Sequence, residues 1–171
     1  MGVPVGASLP PTRLVEFIHD GISYPVPYNY DLDNEANSFV NPLTGHKMAR
    51  GVIDWFFCKG EVYTDGYTVT KPIHFPFTSG ELMAASISIY SCDSSIAPRD
   101  AAAPDAQNVS TVFFDFSQLH FPSLGPKMVG GQVHYDLQVI VRFRFDGCNE
   151  RGVFEVTAQG RSLSTLELDL N

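Results

Sequence analysis

The chain of 171 residues has no long apolar run. Nothing in it approaches the ~18 consecutive apolar residues that a membrane-spanning helix needs. Basic residues are also scarce. Lys and Arg number 11 against 19 Asp and Glu, giving a formal net charge of −8 and a pI near 4.9. A surface for nucleic acid or anionic lipid wants clustered cations, so this balance argues against both. The only cysteines are Cys58, Cys92 and Cys148, odd in number and widely spaced. They suit reduced thiols in a cytosolic chain better than a disulfide framework. The opening Met1-Gly2-Val3-Pro4 has neither the basic head nor the apolar stretch of a signal peptide, and Gly2 meets the myristoylation pattern only loosely. The sequon Asn108-Val109-Ser110 has no force without secretion. Together these absences predict a soluble, cytoplasmic chain with no nucleic-acid and no membrane partner.

Catalytic signatures are missing too. The histidines His19, His46, His74, His120 and His134 and the three cysteines form none of the close pairs that zinc sites use. Isolated surface or loop histidines are the better account of them. There is no Gly-x-Ser-x-Gly elbow, and no serine, cysteine or histidine has a partner visible in the sequence. Asp31 and Asp33 lie in turn-rich sequence, where solvation explains them. Gly130-Gly131 precedes a strand but lacks a phosphate-loop lysine and a following helix, which makes it a flexible lead-in. The expectation is a protein that is not an enzyme and holds no cofactor or metal. A hydrolytic or metal site would need histidines that converge in space, for example His74 and His134 with an acid.

What the chain does have is strand periodicity. A hydrophobic fraction of 44% and a charged fraction of 18% are those of an ordinary globular domain. Val133, Tyr135, Leu137, Val139, Val141, Phe143 and Phe145 alternate with His134, Asp136, Gln138, Arg142 and Arg144, Ile140 being the one exception. Only a strand, whose side chains change sides at every residue, puts such a set on one face. The run breaks at 146–152 and alternation resumes over Val153–Ala158, which reads as a hairpin. Further strands are predicted near 49–58, 70–77, 84–91, 109–116 and 162–170, with turns at Asp65-Gly66, Ser79-Gly80 and Gly160-Arg161. Ser94–Gln107, rich in Ala, Pro and Asp, reads as a mobile loop, and a single helical turn is expected near Gln118–His120. Residues 1–48 are rich in Pro, Asn and Asp, so they read as an irregular arm with at most one short strand near Leu14–Ile18. The predicted fold class is therefore all-β: an antiparallel β-sandwich of about seven to eight strands over 49–171, preceded by the arm.

Aromatic residues are concentrated. Trp55, Phe56 and Phe57 are consecutive, and Phe75, Phe77, Phe113, Phe114 and Phe116 add to them. Simple alternation puts Val52, Phe56 and Cys58 on one face and Ile53, Trp55 and Phe57 on the other. Core packing accounts for most of these side chains, but a strand apolar on both faces must be covered twice. The arm, a neighbouring domain or a bound apolar peptide are candidates for the second cover.

The succession MARGVIDWFFCKGE at 48–61, KPIHFPFTSGELMAASISIYSCD at 71–93, TVFFDFSQL at 111–119 and VRFRFDGCNERGVFEVTAQGRSLSTLELDL at 141–170 resembles a known family. It is similar to the β-sandwich substrate-binding domain of the 70-kilodalton heat-shock chaperones, and most like divergent fungal-type members. The likeness covers roughly residues 40–170. It implies an extended peptide bound through backbone groups, with one apolar pocket for a Leu-like side chain. The positions that match the pocket are Ala49, Phe75, Thr78, Ala85, Ile87 and Leu119. Phe75 and Ile87 keep the large apolar type, Leu119 is a fair match, and Ala49 and Thr78 are smaller or more polar than the family often has. Plain sandwich core or loop is the competing account of each. The sequence also departs from the family. It has no phosphate-binding Asp-x-Gly-Thr-Thr turn and no adenosine motif, and it stops at Asn171 without the helical lid. An excised domain or a truncated product is expected, unable to cycle on ATP alone, with an ATPase domain supplied in cis by a longer parent or in trans.

Two functions follow as expectations. One is chaperone-like binding of unfolded or extended apolar polypeptide segments by a lidless sandwich. The other is a structural docking module that binds no peptide and packs its Trp55–Phe57 strand on an ATPase domain or on a second copy. The first requires an accessible pocket around Phe75 and Ile87. The second requires that pocket filled and a flat apolar patch elsewhere. A fragment with no activity of its own is a further alternative.

Overall fold

A computed structural model of the chain describes residues 12–15, 19–146 and 151–169. Gly2, Pro10-Pro11, residues 16–18, the turn at 147–150 and Cys148 lie outside the described residues. The first half supplies β1 (Thr12–Val15), β2 (His19–Ser23), β3 (Val26–Pro27), β4 (Ser38–Val40), β5 (Lys47–Ala49), β6 (Ile53–Phe57), β7 (Glu61–Thr64) and β8 (Thr68–Thr78). The second half supplies β9 (Ala84–Cys92), β10 (Gln107–Asp115), β11 (Lys127–Val129), β12 (Gln132–Asp146), β13 (Arg151–Ala158) and β14 (Arg161–Asp169).

All pairings between these strands are antiparallel, and two sheets face each other as a sandwich. One sheet has the order β10-β9-β2-β6. In the other, β12 is flanked by β8 on one side and by β13, followed by β14, on the other, and β11 folds back on the start of β12. A three-stranded sheet, β3-β5-β4, and the pair β1-β7 complete the structure.

The alternation in β12 does what its pattern predicts. Leu137, Val139, Val141, Phe143 and Phe145 are at most 2% exposed, and they meet Ile22, Phe56, Phe57, Ile87, Ile89, Val112 and Phe114 of the facing sheet in one core. Removing a side chain of this size from water contributes about 1.5–3 kcal/mol. Gln138, Arg142 and Arg144 point to solvent. His134 does not follow them; it is 8% exposed.

The Trp55–Phe57 strand departs from simple alternation. Gly21 pairs with Trp55 and Asp20 with Phe57, so Phe56 is an extra residue in β6, a β-bulge. A bulge turns two successive side chains to one face, and Phe56 and Phe57 both enter the core, their rings 6.2 and 4.8 Å from that of Phe143. The strand also passes so close to β2 that a Cβ on Gly21 would lie 2.5 Å from the Asp54 carbonyl oxygen, a contact only glycine avoids.

Two expectations are corrected. Residues 1–48 are not an irregular arm as far as they are described: β2 is an inner strand of the four-stranded sheet, and β3, β4 and β5 form a sheet of their own. Their shortness and the adjoining prolines hide them from a periodicity reading. The 94–107 loop is fastened along its length rather than loose. The Trp55 Nε1–H donates to the Pro98 carbonyl at 2.7 Å, the Ile53 N–H to the Arg99 carbonyl at 2.9 Å, and the Ala101 N–H to the Gly51 carbonyl at 2.7 Å. This loop thus closes the outer edge of β6 and holds the Trp55 indole. The helical turn expected at Gln118–His120 falls slightly later, as a 3₁₀ turn at Phe121–Leu124.

Candidate functional site

The six residues of the expected pocket do not assemble into an open one. Ile87, 1% exposed, and Leu119, 5% exposed, belong to the core between the sheets. Phe75 and Ala85 pack against that core from the side, with the Phe75 ring 5.6 Å from Phe114, the residue paired with Ala85. Thr78 ends β8, where its N–H donates to the Glu81 carboxylate at 2.9 Å. Ala49 is fully buried elsewhere, in the middle strand of the small sheet between Val26 and Ser38. Phe75, Ala85, Ile87 and Leu119 are therefore one packed cluster, and Thr78 and Ala49 stand apart from it.

An accessible apolar groove does exist beside them. It has a volume of about 230 Å³ and lies between β8 and the three-stranded sheet. From β8 it is lined by Pro72, Ile73, His74 and Pro76, and from across by Tyr24, Pro27, Phe39 and Met48. Consecutive β8 residues line it while β12 contributes none, so the groove follows the edge of β8 that faces away from β12. Met48 is the neighbour of Ala49; burial of the small Ala49 side chain seats β5 and turns Met48 toward the groove. Sequence reasoning missed this site, although it held a signal. Pro72 and Pro76 inside one predicted strand already mark it as an edge strand, because proline cannot donate to a ladder.

Polar groups border the groove. The Tyr24 hydroxyl donates to Asp54 Oδ2 at 2.7 Å, and Lys71 Nζ lies 3.0 Å from the same oxygen. Burial, reinforced by the Asp54 carboxylate, raises the Tyr24 pKa well above that of an ordinary phenol, so its proton stays on this bond. On the outer sheet face, His74 Nδ1 is 2.8 Å from Asp136 Oδ2. His134 pairs with Thr78, whereas His74 pairs with Gln138. Four residues of strand separate the two histidines, roughly 13 Å at 3.3 Å per residue, so they do not converge. Among the described residues, no three His, Cys, Asp or Glu side chains are grouped to hold a metal ion. Nor is any helix among them long and apolar enough to cross a membrane.

Beyond the groove, Asp33 receives Arg99 in a two-bonded pair, Nε–Oδ1 at 2.8 Å and Nη2–Oδ2 at 3.1 Å, with the Asp33 side chain only 3% exposed. The guanidinium holds the Asp33 carboxyl below its ordinary pKa. This pair ties the 94–107 loop to the segment that precedes β4.

Comparison with known protein families, with curated proteins and with solved structures finds no match to this chain.

Proposed function

We propose that this chain is a binding module and not a catalyst: a chaperone-like β-sandwich that takes an extended apolar segment of another polypeptide. The observation that carries the reading is the groove along β8, apolar on both walls and bordered on one side by a strand edge that is unpaired among the described residues. At about 230 Å³ it falls below the roughly 300–1,000 Å³ usual for small-molecule sites, which suits a short stretch of chain better than a metabolite. The resemblance to the heat-shock substrate-binding domain supports the same reading. An ATPase domain, in cis or in trans, is its proposed partner. A groove this short makes few contacts to oppose the cost of association, so a bound segment would exchange fast and bind weakly.

The docking module is the second reading, and a specific observation favours it: the pocket inferred around Phe75 and Ile87 is filled by its own side chains. Phe113, 74% exposed on the outer face of β10, is then the first candidate for the docking surface.

Fluorescence anisotropy with a labelled Leu-centred heptapeptide separates the two. Saturable binding that is lost in Met48→Asp and kept in Phe113→Asp supports the groove. A folded wild-type chain that binds no such peptide favours the docking module.

A further inference from the structure

We infer that a segment held in this groove pairs with β8 by a two-way exchange at a single residue, His74, flanked by one-way bonds, and must offer N–H groups at three alternate positions. The inference rests on the groove being a polypeptide site. The Ser79 N–H donates to the Val133 carbonyl at 2.9 Å, which fixes the phase of the β8–β12 ladder. In an antiparallel pair, residues alternate between bonding the partner and turning both backbone groups away from it. Odd-numbered residues of β8 therefore bond β12, and the even-numbered ones present N–H and C=O to the groove side.

Two of those even positions along the groove are Pro72 and Pro76, which have no N–H. The Thr78 N–H is taken by Glu81. Beside the groove, the free edge thus offers three acceptors, the carbonyls of Pro72, His74 and Pro76, and one donor, the His74 N–H. Among the described residues none of these groups has a hydrogen-bond partner.

An incoming extended segment that adds antiparallel, as every strand pair of this fold does, fits this pattern in one way. Its central residue exchanges two bonds with His74. The residues two before and two after it donate to Pro76 and Pro72 and receive nothing back. Proline is therefore excluded from these three ligand positions and tolerated at the ones between them. The intervening residues direct their side chains to the face that Ile73 occupies, and these are the positions for apolar groups. Backbone pairing gives tolerance of sequence, and the missing donors keep the segment from extending into a full added strand.

The test is an N-methyl scan of fluorescein-labelled Ser-Leu-Thr-Leu-Thr-Leu-Ser, read by anisotropy against the whole chain. The peptide can place three non-leucine donors in two registers, and both use the two threonines; methylation of either threonine should therefore weaken binding roughly tenfold, while methylation of either serine or of a leucine should change it less than about twofold. In parallel, His74→Pro should weaken the unmethylated peptide about tenfold more than His74→Ala does, because both lose the imidazole that lines the groove and only proline also loses the N–H. Equal tolerance at every position, equal loss at every position, or equal effects of the two His74 variants overturns the pairing while the groove remains a peptide site. No binding of the unmethylated peptide by the folded wild-type chain overturns the groove itself and the pairing with it.

Discussion

Gly152 shows how tightly single residues are specified here. It sits in β13, paired with Phe145, and a Cβ built on it would run into the ring of Phe143. That ring is 1% exposed and wedged between Phe57 and Phe154, so it has nowhere to retreat. Gly152→Ala should therefore destabilise the fold by about 1–3 kcal/mol, the usual cost of overpacking a core, measured as a lower denaturant midpoint with unchanged slope. The requirement was invisible in the sequence, where Gly152 reads as the end of a turn. Phe143 was legible as a core residue from its place in the alternation. What periodicity could not supply was the partner across the strand pair. The same holds for Phe56 and Phe57: alternation separates them, and only the bulge opposite Asp20 and Gly21 brings both inward.

Edges decide behaviour at the scale of strands and loops. The free side of β8 carries Pro72 and Pro76 at positions whose N–H would otherwise face outward, a device that blunts an edge against pairing with another copy. Replacing both, in Pro72→Ala/Pro76→Ala, gives that side a regular row of donors. The variant should self-associate more strongly than the wild type, as sedimentation equilibrium will report. The 94–107 loop depends on a different device. The Asp33 carboxyl has a folded-state pKa below its unfolded one, so the contribution of its pair with Arg99 is complete above the unfolded value of about 4 and is lost as pH falls through the lower folded value. Trp55 is the sole tryptophan and donates to this loop, so its emission should shift to the red below about pH 4. Asp33→Asn should show the same shift at neutral pH, with the far-ultraviolet dichroism of the strands retained. If the emission of Asp33→Asn matches that of the wild type, the pair does not hold the loop.

At the scale of the molecule, the sandwich was legible because its long strands bury one face each, and a half-buried strand must alternate. Seven predicted strands correspond to β6, β8, β9, β10, β12, β13 and β14 within a few residues. Strands of two to five residues, such as β2, β3, β4 and β5, are too short for a period to register, and their place was set by tertiary pairing. The candidate site was legible only in part. Phe75, Ala85, Ile87 and Leu119, expected to line a pocket, pack into one apolar cluster, and the accessible wall is made by Met48 and Phe39 from the segment read as irregular. The position of β2 also bears on how the chain comes together. β2 is bonded on one side to β6 and on the other to β9, so this sheet cannot close until a segment from near the start of the chain has met two others far along it. Few of its contacts are local, and a topology of this kind folds in milliseconds to seconds rather than microseconds. During synthesis β2 can gain both of its partners only after β9 has emerged.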